Sequence, residues 1–217
     1  MTQLEHCRQL AVAATAARLD GPGLDARAAA LVALGVAASV TSLDGPAIDA
    51  AIENALDAGA SVDQLQEVIA LISGLGVHSL MVTATRVLAQ AEHRGLMTAR
   101  APLDAARQAL WDSCVGDDPF WVGFEQEVPG FLDAMLRLSP DVFQGFFNYC
   151  AIPWRSGTVC PLTKELIAMA SDATPTHRFL PGFRIHLHNA IKLGASRQAV
   201  LQTLDIAACA PGHSGVC

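Results

Sequence analysis

The sequence predicts an all-α fold made of two tandem copies of one helical repeat, and three observations carry that expectation. Hydrophobic types make up 52% of the 217 residues and charged types only 16%, with Ala, Leu and Val recurring at i, i+3, i+4 and i+7. Breaker clusters such as Asp20-Gly21-Pro22-Gly23 and Ser42-Leu43-Asp44-Gly45-Pro46 cut this pattern at helix-length intervals. A gap-free shift of 135 residues sets Gly59-Ala60-Ser61 on Gly194-Ala195-Ser196 and Asn54-Ala55 on Asn189-Ala190. The same shift sets Leu31 on Leu166, Thr41 on Thr176, Pro46 on Pro181 and His78 on His213. One register held over so long a span marks an internal duplication.

Taken in order, residues 2–19 form a first amphipathic helix stopped by the Gly-Pro-Gly cluster. Asp25 caps a helix over 26–40 that is apolar almost all round and therefore buried. Ile48, Ala51, Ile52, Ala55 and Leu56 share a face of the next helix, and Gly59 ends it. Ser61 with Gln64 makes a capping box that opens Val62–Ser73. After Gly74-Leu75-Gly76 a further helix runs to Arg94. Residues 1–97 thus form a first, degenerate repeat, and 161–217 a second repeat that carries the candidate site. Between them, 98–160 is an aromatic-rich helical connector with Trp111, Trp121, Trp154 and Tyr149. Short helices over 104–113, 129–138 and 140–150 and a loop over 153–157 fit its pattern. Its aromatics either cover a pocket or pack as an ordinary core.

Composition narrows the function. A formal net charge of −7 disfavours a nucleic-acid partner, which calls for clustered Lys and Arg. The uncharged window 68–85 reaches membrane-spanning length, but Ser73, Gly74, Gly76 and His78 make it better suited to two buried helices around a glycine break. We therefore expect a soluble, cytoplasmic protein with no membrane partner. The apolar excess suggests that some outward faces are buried in a homo-oligomer. The six cysteines, Cys7, Cys114, Cys150, Cys160, Cys209 and Cys217, form no Cys-x-x-Cys and read as scattered free thiols. The histidines form no metal-ligand cluster by spacing, so no metal is expected.

The chemical signal lies in the second copy. Phe183, His186, Leu187, Ala190 and Ile191 share one helical face, and Leu162, Glu165, Leu166 and Met169 share another. Imidazole and carboxylate are costly to bury alone, so each calls for a partner. In the first copy Ala30 stands where Glu165 does, and Ala51 where His186 does. Two polar groups lost together point to a working copy beside a structural one. As an acid/base pair, the carboxylate would fix the imidazole tautomer and raise its pKa. As a structural bridge, the same pair would only join two helices. His177 could reach in from the loop before the helix. Arg155 and Arg184 could clamp a substrate carboxylate, although Arg184 lies roughly 200° from His186 around the helix. His188 reads as a solvated or interface side chain, and His78 and His213 as structural.

The run Leu162-Thr163-Lys164-Glu165-Leu166-Ile167-Ala168-Met169-Ala170, with Arg184-Ile185-His186-Leu187-His188-Asn189-Ala190 and Gly194-Ala195-Ser196, resembles the carboxymuconolactone decarboxylase family. That superfamily also holds the alkylhydroperoxidase D-like proteins. The connector with Tyr149, Trp154, Arg155 and Thr176-His177 is similar to two-repeat members. The resemblance implies trimers or hexamers of repeats (a dimer is the smaller alternative) and a pocket between helices near Glu165 and His186. It implies no cofactor and a small, anionic substrate, with Glu165 and His186 matching the family's glutamate and histidine. His177 joins them as a catalytic candidate by its place in the loop, and Arg155, Arg184, Trp154 and Tyr149 are the candidates for binding the substrate. The expected activity is acid/base chemistry on a carboxylated lactone or enolisable acid. Two alternatives are an alkylhydroperoxidase-type peroxidase and a non-catalytic ligand-binding subunit. In the peroxidase branch a Cys-x-x-Cys precedes the helix histidine; Phe179 and Gly182 hold those positions here, so the thiol pair that such chemistry needs is missing.

Overall fold

The computed structural model describes residues 2–18, 20–98 and 101–214. It holds thirteen α-helices and no strand among the described residues. In chain order these are α1 (Gln3–Ala14), α2 (Ala26–Ala38), α3 (Gly45–Asp57), α4 (Val62–Ser73), α5 (Val77–His93), α6 (Ala105–Cys114) and α7 (Pro119–Glu127). They continue as α8 (Phe131–Leu138), α9 (Pro140–Cys150), α10 (Ile152–Arg155), α11 (Pro161–Ala173), α12 (Leu180–Lys192) and α13 (Arg197–Ala208). A 3₁₀ turn, Gly74–Gly76, separates α4 from α5 where the glycine break was expected. By length and composition alone Val62–His93 could cross a membrane, a test that the core helix of a soluble protein also passes.

Two compact units result: residues up to Leu75 with those from Ile152 onward, and Gly76–Ala151. The division does not follow the sequence boundaries at 97/98 and 160/161, because α5 groups with the connector helices and α10 with the repeats.

In the first unit the 135-residue shift carries α2 onto α11, α3 onto α12 and α4 onto α13 with coincident ends. Even the exceptional backbone positions correspond. Gly59 (φ +83°) matches Gly194 (φ +97°), and Leu43 (φ +39°) matches Arg178 (φ +55°). Two non-glycine residues held left-handed cost on the order of 1 kcal/mol each, so the turn before the second helix of each copy is a built feature. The copies embrace reciprocally: α13 packs on α2 as well as α11, and α4 packs on α11 as well as α2. Leu24 N–H donates to Gln202 Oε1 at 2.7 Å, and the shifted counterparts Val159 N–H and Glu67 Oε2 bond at 3.2 Å. Where α2 meets α11, Gly35 permits the approach, since a Cβ there would lie 2.5 Å from Ile167 Cγ2.

This arrangement puts α11 in the middle. Every residue from Thr163 to Ala173 is buried, so the one-faced stripe expected for this helix is corrected to burial all round. Each Leu, Ile or Met so enclosed contributes about 1.5–3 kcal/mol of transfer free energy, which makes any charged group on α11 conspicuous. Three sit there: Lys164, Glu165 and Asp172.

Other expectations need correction. The first helix ends at Ala14, and Leu19, its expected end, lies outside the described residues. Between the expected helices over 104–113 and 129–138 lies a helix that the pattern did not mark, α7, capped by Asp118 with Pro119 in its first turn. Part of the loop after Cys150 is the short helix α10. His78 is buried on α5 whereas His213 is exposed beyond α13, so the matched histidines do not share an environment. In the second unit the aromatics pack on one another: ring centroids lie 5.1 Å apart for Trp121 and Phe147, 4.9 Å for Phe143 and Phe147, and 5.5 Å for Phe131 and Phe146.

Candidate functional site

Two helical periodicities assemble the site. On α11, Glu165 and Asp172 stand seven residues apart and so share a face, two turns from each other. On α12, His186 and Asn189 stand three apart and face α11. His186 therefore falls between the two carboxylates. Its Nδ1 lies 2.7 Å from Glu165 Oε2, and its Nε2 lies 3.9 Å from Asp172 Oδ2. Asn189 Nδ2 donates to the other Glu165 oxygen at 3.2 Å. An ionised carboxylate can only accept, so Nδ1 carries the hydrogen. The Glu165 side chain is 8% exposed and that of His186 20%, so the imidazole alone of the pair keeps a window to solvent.

Asp172 is fully buried. Its Oδ2 lies against the Cα of Gly182, where a Cβ would fall inside van der Waals contact. Its Oδ1 lies 3.6 Å from His177 Nε2, and its carbonyl accepts the Phe179 N–H at 2.9 Å. Thr174 Oγ1 accepts the His177 N–H at 3.2 Å, holding the turn that presents this imidazole. Glu165, His186, Asp172 and His177 thus form one continuous polar row inside an apolar helix pair.

The electrostatics separate these groups. Burial opposes charge on His186, but the Glu165 hydrogen bond and the Glu165 and Asp172 charges outweigh it, so its pKa is raised above the ordinary value. Burial pushes the Asp172 carboxyl up to about 8, with the His186 charge pulling the other way. Burial lowers the pKa of His177. The site combines an imidazole whose hold on its proton is strengthened with a carboxyl whose burial favours the protonated form.

A second buried ion pair stands on the same helix. Lys164 Nζ pairs with Glu67 of α4 and donates to the carbonyls of Pro153 (2.6 Å) and Ser156 (2.7 Å). Burial pushes the Glu67 carboxyl up, yet hydrogen bonds from Lys164, Ser156 and the Val159 N–H hold its pKa below the ordinary value. Trp154 and Arg155 lie on α10, and the Lys164 ammonium sits 5.8 Å from the centroid of the Trp154 ring.

The structure therefore brings Glu165, His186 and His177 together, the last through Asp172. Arg184 is exposed on the outer side of α12, and its charge reaches Cys7 of α1. Arg155 is exposed on α10, and Tyr149 belongs to the other unit, on α9. Sequence reasoning missed Asp172 and the Lys164–Glu67 pair. The signal that finds Asp172 and Lys164 is the one that found Glu165: their counterparts in the first copy, Ala37 and Ala29, are alanine.

No protein-family model and no curated protein matches the chain. Among solved structures it is similar to a Burkholderia xenovorans LB400 protein provisionally assigned as a gamma-carboxymuconolactone decarboxylase subunit. The two share 33% identity over 85% of this chain and 71% of the other, with a TM-score of 0.72. This chain belongs to the carboxymuconolactone decarboxylase-like family. Membership accounts for the all-helical architecture. At the position of the helix-preceding thiol stands Gly182, which leaves its space to the Asp172 carboxylate. The described cysteines are free thiols, and Cys217 lies outside the described residues. Cys7, the cysteine that feels the Asp172 charge, is pushed up to about 11 by its burial and by that charge, against the opposing Arg184 charge.

Proposed function

We propose that the chain is a cofactor-free acid/base enzyme of the carboxymuconolactone decarboxylase type, acting on a small carboxylated lactone or enolisable acid. The observation that carries this reading is the 2.7 Å contact of His186 Nδ1 with Glu165, on an imidazole that is itself partly open to solvent. A carboxylate behind Nδ1 fixes the tautomer and stabilises the imidazolium, leaving Nε2 to give or take a proton at a substrate carbon. In a decarboxylation the bond to the leaving carboxylate breaks and CO₂ departs. The electron pair moves into the conjugated enolate, and His186 then supplies the proton to carbon. A cytoplasmic location accords with this reading, since a reducing compartment keeps free thiols reduced.

The test follows His186 by NMR in the parent and in Glu165→Gln, beside assays of CO₂ release and C–H exchange on small lactone and keto acids. A fall of about one pKa unit or more in Glu165→Gln, with turnover lost in both Glu165→Gln and His186→Ala, supports the proposal. Turnover unchanged in both variants overturns it. Peroxide-dependent turnover abolished by thiol alkylation would transfer the reading to the peroxidase branch.

A further inference from the structure

The Glu165 carboxylate is gripped twice, by two side chains of one helix. His186 and Asn189 stand three residues apart on α12, so they project one turn apart from the face that meets α11. His186 Nδ1 lies 2.7 Å from Glu165 Oε2, and Asn189 Nδ2 donates to Glu165 Oε1 at 3.2 Å. Each oxygen thus has its own donor, and both donors ride on the same rigid element. The amide orientation follows from the chemistry, since a carboxylate oxygen only accepts and the nitrogen must face it. A glutamate needs this second anchor. Its last torsion is broad and roughly two-fold, so one hydrogen bond from His186 leaves the carboxylate free to swing about that contact.

The first copy supplies a control. Asn54 holds the matching place on α3, but Ala30 and Ala51 stand there for the glutamate and the histidine, and Asn54 is exposed. The same residue type has a carboxylate to hold in one copy only. We propose that Asn189 is a positioning residue of the site: it fixes the rotation of the Glu165 carboxylate so that Oε2 meets His186 Nδ1, and it reaches substrate only through that pair. Its effect on turnover rests on the acid/base reading; its effect on the imidazole does not.

The experiment compares the full-length parent with Asn189→Leu, Asn189→Ala and the control Asn54→Leu, each checked for folding by circular dichroism. Leu fills the space of the amide and Ala empties it, which separates loss of the donor from loss of packing. NMR follows the His186 Nδ1 proton, and the CO₂-release and C–H exchange assays give kcat and KM. The expected parent resonance lies far downfield, as an imidazole N–H bonded to a carboxylate does. In both Asn189 variants it should move upfield and exchange faster with solvent. There kcat should fall by about ten-fold, the worth of one hydrogen bond to a charged group, with KM close to that of the parent. Asn54→Leu should change neither. In a Glu165→Gln background, Asn189→Leu should move the resonance little further, because its effect runs through the carboxylate. An unmoved resonance in a folded Asn189 variant, a shift of equal size with and without the Glu165 carboxylate, or an equal loss in Asn54→Leu overturns the proposal. Turnover unchanged by Glu165→Gln and His186→Ala would instead remove the acid/base reading, and the resonance alone would then decide the role of Asn189.

Discussion

The first copy, α2–α3–α4, and the second, α11–α12–α13, share helix ends and turn geometry, yet they differ at the positions that carry chemistry. Alanines 29, 30, 37 and 51 of the first copy stand against Lys164, Glu165, Asp172 and His186 of the second. The comparison separates what the repeat needs in order to fold from what one copy has added. Helix packing tolerates alanine at all four positions, so the polar groups are additions to the packing. Each addition then needed a partner, because an unpaired charge inside a helix pair costs several kcal/mol.

The comparison can be broken most decisively at the site. His186→Ala should lower turnover on the proposed substrates by about 10²–10⁴-fold, the usual worth of a positioned acid/base group. Ala51→His, at the matching position of the first copy, should leave turnover unchanged in the same assay. Next comes the ion pair. Lys164→Ala leaves Glu67 buried without its cation and should cost about 3–5 kcal/mol in urea unfolding. Adding Glu67→Gln reproduces the Ala29 and Gln202 residues at the matching positions and should restore much of that loss.

A pH series sharpens the contrast at Asp172. Its folded pKa is raised from 3.8 to about 8, so its contribution to stability is fully present below the lower value and is lost as pH rises through the upper one. His186, also raised, loses its contribution in the same direction, from its unfolded pKa upward. Asp172→Asn, which removes the first of these, should gain melting temperature over the parent progressively from pH 5 to pH 8 and then level off. The smallest effect concerns room. Gly182→Ala drives a Cβ into Asp172 and should cost about 1–3 kcal/mol. Ala47→Gly, the reverse change at the matching position, should cost about 1 kcal/mol from helix propensity alone.

By itself the sequence determined the helices and the register of the duplication, since both rest on local periodicity and on breaker residues. Val62–Ser73 and Pro140–Cys150 end where their caps and breakers require. It also disclosed Glu165 and His186, because a polar residue in an apolar stripe is visible without knowing its partner. Only the tertiary structure decided the rest. That Lys164 meets Glu67, almost a hundred residues away, follows from the reciprocal packing of α4 on α11, which no helical period encodes. The role of Asp172 depends on Gly182 leaving space beneath α12 and on α11 being enclosed on every side. Periodicity records which face a side chain takes. Burial, and the pKa values that burial sets, depend on what the remainder of the chain places against that face.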